Sequence, residues 1–187
     1  MDRRENGEKM PQKVLVTYAS QAGSTAGAAE EIGSVLRASG SFVDVLPMKA
    51  VKDLSSYAAV VAGSAIHGQK WLPEAMDFIT NHQAELSRKP FAAFMVCITL
   101  SMGNSSQYLD GLKNWMSPVR QIVRPVSEGY FAGALDFSKL PFSINTTLMR
   151  LVVLLGIWKV GDHRDMNAIR DWAQKLRFSL RLTTNHG

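Results

Sequence analysis

The run Ser20-Gln21-Ala22-Gly23-Ser24-Thr25 is the part of this sequence whose residue types and spacing point most directly at chemistry. Its residues are mostly small or hydroxylated, so backbone N–H groups can converge on one anion, and the hydroxyls of Ser20, Ser24 and Thr25 add donors. A helical pattern follows at once, and a helix start contributes partial positive charge. The loop holds no Lys or Arg. Such a loop suits a phosphate monoester held by neutral donors. It speaks against nucleoside triphosphate chemistry, because the G-x-x-x-x-G-K-[ST] run with its lysine is missing, as is the dinucleotide pattern G-x-G-x-x-G. The same residues also suit a plain strand-to-helix turn in which Ser and Thr cap the helix. The loop alone leaves both readings open.

Positioning the loop takes a strand before it and a helix after it. Val14 to Tyr18 is a short β-branched and apolar run, the pattern of a strand buried on both faces. Ala29, Ile32, Gly33 and Leu36 then fall at helical spacing, with Gly40 as a stop. Further strands are predicted at Phe42 to Leu46, Ala58 to Ala62, Phe91 to Ile98 and, with two glycines inside it, Glu128 to Ala134. Helical stripes lie between them. One begins near Pro73 with Leu72, Met76, Ile79, Gln83 and Leu86, and another uses Leu109, Leu112, Trp115, Met116 and Val119. The last runs from about Met166 with Ile169, Trp172, Ala173, Leu176 and Leu180 inward. Five strands alternating with helices predict an α/β fold, a three-layer sandwich around a mainly parallel sheet. Ligands of such sheets bind beyond the carboxyl ends of the strands, which is where the hydroxyl-rich loop falls. A phospho-acceptor receiver of the same topology is excluded. Its carboxylate, aspartate and lysine positions hold Thr17-Tyr18, Gly63-Ser64 and Ala134-Leu135.

The chain has 187 residues, which is one domain, expected over 13–181 between a polar leader (1–12) and a polar tail (182–187). An insertion at about 136–161 interrupts the rhythm before the last helix. With 46% hydrophobic and 20% charged residues the composition supports a real core and excludes disorder. Cys97 is the sole cysteine and reads as a small core hydrophobe. His82 and His163 lack ligand spacing, so no metal is expected. No signal peptide is legible, which makes the cytoplasm the expected address. The net charge of +5 lies wholly beyond residue 100 and invites nucleic acid, an anionic membrane or an acidic partner. The basic residues do not cluster with aromatics, so nucleic acid is set aside. Within the insertion, Leu151 to Trp158 is uninterruptedly apolar but far shorter than the roughly 20 residues of a spanning helix. It reads either as a helix packed on the sheet edge or at a homodimer contact, or as an interfacial element. In the second reading Leu148, Leu151, Val152, Leu155 and Trp158 form a face beside Arg150 and Lys159, giving peripheral contact through 142–159 at the inner face of a membrane.

"VTYASQAGSTAGAAEEI" resembles the phosphate signature of flavodoxins, and "YAAVVAGSAIHGQKWLPEAMDFI" resembles their third strand, flavin loop and following helix. Closer still is the similarity to the flavodoxin-like, menaquinone-dependent protoporphyrinogen dehydrogenases, carried by "GSAIHG", by the "GAL" segment with its basic, apolar insertion, and by "GDHRD". The resemblance implies a flavodoxin-like sandwich with strand order 2-1-3-4-5 and FMN as cofactor. It implies a phosphate held by Ser20, Gln21, Ala22, Gly23, Ser24 and Thr25. The ring would lie between Ser64, Ala65, Ile66, His67, Gly68 and Trp71 after the third strand and Thr99, Leu100, Ser101 and Gly103 after the fourth. Gly68 is the place where a peptide could rotate toward the ring. Trp71 either stacks on the ring or packs under the next helix. His67 is the one side chain singled out for catalysis, and it stands where the dehydrogenases lead one to expect an arginine. Three functions follow: an oxidoreductase using protoporphyrinogen or a quinone, an electron carrier serving a partner protein, or a binding module with a degenerate flavin site.

Overall fold

The computed structural model describes residues 12–101, 111–135, 161–162 and 164–182. Five main strands, β1 (Lys13–Ala19), β2 (Phe42–Pro47), β3 (Ala59–His67), β5 (Phe91–Cys97) and β6 (Ser127–Ala132), form a parallel sheet in the order β2-β1-β3-β5-β6. This is the predicted order, with β4 (Lys70–Trp71) added antiparallel to the end of β3. The reason is visible in burial. β5 is buried along its whole length, and β1 and β3 over most of theirs, as strands covered on both faces must be.

The pleat sends alternate residues into two cores. Val14 and Val16 of β1, Val61 of β3 and Phe94 of β5 pack beneath α1 (Ser24–Ala38) and α5 (Met166–Ser179). Leu15, Val60, Ala62, Phe91, Ala93 and Met95 face the other layer, which comprises α2 (Pro73–Asn81), α3 (Gln83–Leu86), a helical turn at 111–114 and α4 (Ser117–Ile122). The apolar stripe of α1 buries Ala28, Ala29, Ile32, Gly33 and Leu36, as its spacing predicts. In α5 the stripe buries Ile169, Ala173 and Leu176. Its Trp172 is half-buried, donating its indole N–H to Ser127 Oγ at 3.1 Å and meeting Phe131 edge-on at 5.5 Å between ring centroids.

Four expectations change. The segment after the third strand is not a loop: β3 continues to His67 and turns directly into β4. The helix expected across Leu72 to Leu86 is two helices separated at His82, whose ring packs on Phe78 at 4.8 Å and whose Nδ1 faces Glu85. The helical stripe through Trp115 is likewise divided, because Ser117-Pro118 opens α4. The fifth strand ends at Ala132, and Ala134–Leu135 forms a separate strand, β7, paired antiparallel with β8 (Gly161–Asp162). The two ends of the insertion therefore meet in a two-stranded stem. The apolar face at 142–159, Leu109, Gly103 and His163 lie outside the described residues. Among the described residues, no helix is long and apolar enough to cross a membrane.

Candidate functional site

The register places Ala19, the last residue of β1, beside Ser64 of β3 at the carboxyl edge of the sheet, and the hydroxyl-rich loop leaves from there. Gly23 ends the loop in a left-handed conformation (φ 86°), which glycine adopts without steric cost. Its N–H donates to Ser20 Oγ at 3.0 Å, so the serine folds the loop upon itself. Gly23 is the N-cap of α1 and supplies no side-chain cap. The first helical bond runs from Gly27 N to the Gly23 carbonyl at 3.1 Å, and the first turn contains no acidic residue. The N–H groups of Ser24, Thr25 and Ala26 therefore point past the helix end without an acceptor in the helix. The capping alternative raised by the sequence is not what the loop does.

Thr25 is fully buried, yet its Oγ1 has no hydrogen-bond partner. Among the described residues two other buried side-chain polar atoms share this condition, Thr17 Oγ1 and Trp71 Nε1. Thr17 lies in the carboxyl half of β1, Thr25 in the first turn of α1, and Trp71 in the hairpin after β3. All three belong to the same end of the sheet. A buried hydroxyl or indole N–H left unpaired is costly, and Thr25 is the one that lies in the same turn as the uncapped amides of α1. Thr17 did not stand out in the sequence, because a threonine inside an apolar strand carries no pattern of its own.

The hairpin after β3 pairs Ile66 with Trp71 and His67 with Lys70, joined by Gly68 and Gln69. Both turn residues have positive φ, 56° and 65°, which is the two-residue type I′ turn that matches strand twist. His67, Gly68, Gln69 and Lys70 are exposed at its tip. Ser64 is fully buried and its hydroxyl is already committed, donating to the Ala65 carbonyl at 2.7 Å and accepting from Leu72 N at 3.0 Å. It clamps the hairpin to the start of α2. Trp71 is 4% exposed and lies in the core with Leu72 and Ala75, so its ring takes the packing position of the two weighed from sequence. Ala65 and Ile66 are half-buried at the end of β3.

The fourth strand exits through a short 3-10 turn, Ile98–Ser101, with Thr99 and Leu100 half-buried. Cys97 is 4% exposed, and desolvation pushes its thiol pKa up despite hydrogen bonds from the Leu100 and Thr99 backbone, so it is a poor nucleophile. The stem of the insertion reaches this turn. Gly133 N donates to the Cys97 carbonyl at 3.0 Å, and an added Cβ at Gly133 would stand 3.5–3.6 Å from Cys97 C and Ile98 N. The other polar clusters lie toward the amino ends of the strands. Lys13 and Tyr57 bind Asp44, and the Lys13 ammonium followed by the Tyr57 hydroxyl holds that carboxyl below its usual range. Arg120 grips Glu128 through Nε and Nη2 at 2.6 Å each and lowers its pKa. Among the described residues no group of three or more His, Cys, Asp or Glu is arranged for a metal.

A phosphate monoester therefore fits the residues present: uncapped helix amides, a buried unpaired hydroxyl and no opposing carboxylate in the first turn of α1. Comparison with known proteins agrees. Among curated proteins, no sequence matches the chain. Solved structures with the same fold include a flavodoxin from the domain Archaea, 16% identical with a TM-score of 0.54, covering 91% of this chain and 99% of its own. A short-chain flavodoxin associated with a non-canonical PDU bacterial microcompartment is 11% identical with a TM-score of 0.56, covering 91% and 97%. A flavodoxin of Streptococcus pneumoniae TIGR4 is 16% identical with a TM-score of 0.53, covering 89% and 98%. The model of the flavodoxin domain matches residues 15–156. The chain belongs to the flavodoxin domain family, and its cofactor is FMN.

Proposed function

We propose that the chain is an FMN-dependent oxidoreductase of the kind represented by the protoporphyrinogen dehydrogenases, passing electrons from a hydrophobic substrate to a quinone. The observation that carries the reading is the meeting of the insertion stem with the strand ends that flank the site. Gly133, just before β7, lies against Cys97 and Ile98, where the fourth-strand turn begins, and β8 pairs with β7. An apolar insertion rooted there suits a hydrophobic substrate better than a bare carrier would. FMN, when bound, supplies reversible one- and two-electron transfer between donor and acceptor.

The chain's own residues do the rest. The N–H groups of Ser24, Thr25 and Ala26 and the Thr25 hydroxyl hold the phosphate, while Ser20 and Gly23 shape the loop and Gln21 and Ala22 flank it. Ala65, Ile66, His67 and Gly68 on one side and Thr99, Leu100 and Ser101 on the other would form the walls of the ring site; Gly103 lies outside the described residues. Ser64 and Trp71 support the first wall from within, the serine through its bond to Leu72 N. His67, exposed at the hairpin tip, is the side chain that would face substrate or solvent on this reading. Segment 142–159 would then work as a peripheral contact at the inner face of a membrane, where a quinone is reached, or against a second copy of the chain.

The test is to titrate the protein with FMN and then mix reduced protein anaerobically with a menaquinone analogue and protoporphyrinogen. Porphyrin fluorescence above the autoxidation blank is expected, and its absence removes the dehydrogenase reading. The second reading, an electron carrier serving a partner protein, is favoured by the exposed hairpin tip of His67, Gly68, Gln69 and Lys70 beside the ring site. It predicts FMN binding and fast reduction by a flavodoxin reductase with no porphyrin formed. Absence of any flavin fluorescence change on titration would leave only the binding module.

A further inference from the structure

Among the described residues the large apolar side chains left exposed are Phe42, Val126 and Phe178, and Phe178 is the most exposed at 71%. It stands in the last turn of α5. Arg177 lays its guanidinium over the Phe178 ring, with Cζ 4.5 Å from the centroid, a geometry in which cation and aromatic face attract. The helix then ends in a Schellman closure: Arg181 N donates to the Phe178 carbonyl at 3.1 Å, and Leu182 N to the Arg177 carbonyl at 3.0 Å. Such a closure needs a left-handed residue, for which glycine is the cheap choice. Here it is Arg181, at φ 54°. Leu176 and Leu180 are buried in the core and Leu182 packs against it, so the turn is pinned from within while Lys175, Phe178 and Arg181 face out. Among the described residues Lys175 and Arg181 have no ion pair. The carboxylates of this helix and its cap, Asp171 and Asp165, lie in its first half. The helix dipole accounts for cations in a last turn. It does not account for a bare phenyl ring among them, or for arginine where glycine costs less.

We propose that the last turn of α5 is a contact for an anionic bilayer surface, with Phe178 entering the headgroup layer and Lys175, Arg177 and Arg181 meeting lipid phosphates. An aromatic ring set among cations suits the membrane interface, where apolar burial and attraction to anionic lipid add. Guanidinium groups match phosphate oxygens in geometry as well as charge. The chain's excess of positive charge lies beyond residue 100, in the half that contains this helix. A fluid headgroup layer also takes a protruding side chain without a matching pocket, which a protein partner would have to provide. The contact is remote from the flavin site. Trp172, near the middle of α5, is bonded to Ser127 at the start of β6, so the last turn lies toward the amino ends of the strands, opposite the β1–α1 loop. Along the helix axis Phe178 is about 18 Å from Met166, at about 1.5 Å per residue. The inference goes beyond the proposed oxidoreductase and uses none of the residues assigned to the cofactor.

The test is co-sedimentation of the FMN-loaded protein with vesicles of phosphatidylcholine alone and with vesicles of equal parts phosphatidylcholine and phosphatidylglycerol. Binding is expected on the anionic vesicles only, and high salt should weaken it. Phe178→Ser should lower the partition coefficient about tenfold through lost apolar burial. Lys175→Gln and Arg181→Gly should each lower it about fivefold, the share of one cation near the surface. Arg181→Gly should also raise Tm, because glycine takes the left-handed position without strain. Weaker vesicle binding by a more stable protein separates loss of the contact from loss of the fold. Val126→Ser, at an exposed apolar residue outside α5, should leave vesicle binding unchanged. No binding to the anionic vesicles overturns the proposal. Binding that the three α5 variants leave intact also overturns it, since the contact then lies elsewhere, such as in 142–159. Retention on soluble polyglutamate without vesicle binding points to an acidic protein partner and overturns it as well. None of these outcomes touches the FMN titration or the porphyrin assay, which judge the proposed function separately.

Discussion

Replacing Thr25 by valine should make the apoprotein more stable and the cofactor complex weaker, and the opposed signs make the substitution a sharp test. Thr25 is fully buried and its Oγ1 has no partner, whereas valine has the same shape and nearly the same helix propensity. Removing an unsatisfied buried hydroxyl recovers about 1–3 kcal/mol. For a chain of this size each kcal/mol moves Tm by about 2–4 °C, so the apoprotein should melt at least about 2 °C higher. With the cofactor the same hydroxyl would donate to a charged phosphate, a bond worth about 1.5–3 kcal/mol, so FMN affinity should fall about 10- to 150-fold. Riboflavin affinity should not move. Differential scanning fluorimetry of the apoprotein and flavin fluorescence titration read the two arms, with Thr25→Ser as the variant that keeps the hydroxyl. A destabilised apoprotein with an unchanged preference for FMN over riboflavin would refute the reasoning.

Three further outcomes follow from the geometry. Gly63→Ala places a Cβ 2.0 Å from the Phe94 ring and should destabilise by about 1–3 kcal/mol, read as a lower denaturation midpoint that Phe94→Leu partly restores. Gln69→Gly relieves a side-chain residue held at φ 65° and should stabilise the hairpin by about 0.5–1 kcal/mol, while Gln69→Val should cost about as much in the thermal midpoint. Tyr57 is pushed up to about 12, first by burial and then by its hydrogen bond to Asp44, so the fold favours the neutral phenol. That stability is fully present below the ordinary tyrosine value of 10.0 and drains away as pH rises toward about 12. Denaturation midpoints should therefore fall through this window in the wild type and stay flatter in Tyr57→Phe.

The sheet was legible because its inner strands are buried on both faces. Val14 to Tyr18 reads as a short β-branched and apolar run, and Phe91 to Cys97 as a continuous apolar one of strand length. The loop after β1 was legible as a strand-to-helix turn of small and hydroxylated residues, a type that suits a phosphate or a helix cap alike. What stayed hidden depends on contacts that no local pattern records. The β3–β4 hairpin turns on Gly68-Gln69 rather than Asn-Gly, and the first residue of that pair did not suffice to announce a type I′ turn. The break at His82 was masked because Leu72, Met76, Ile79, Gln83 and Leu86 keep helical spacing straight across it. Strands of two residues, such as β7 and β8, have no period to detect. Ser64 has the type of a ligand residue, yet its hydroxyl is consumed inside the fold. Arg164 lies against Gly27, a contact between opposite ends of the sequence that no local pattern records.

The two ends of the sheet show where the fold accepts local cost. Toward the amino ends the charged groups are paired: Lys13 with Asp44, Arg120 with Glu128, and Tyr57 and Tyr130 through their hydroxyls with the same carboxylates. At the carboxyl end polar atoms are buried without partners at Thr17, Thr25 and Trp71. Positive φ gathers there at Gly23, Gly68 and Gln69, while the other two cases, Gly40 and Arg181, merely follow the ends of α1 and α5. Unsatisfied groups and strained turns persist only where the surrounding structure holds them in place. Here the rigid parallel strands do so, and the groups left wanting are the donors that a phosphorylated flavin would satisfy. On the proposed reading, that cost would be recovered on binding FMN rather than on folding.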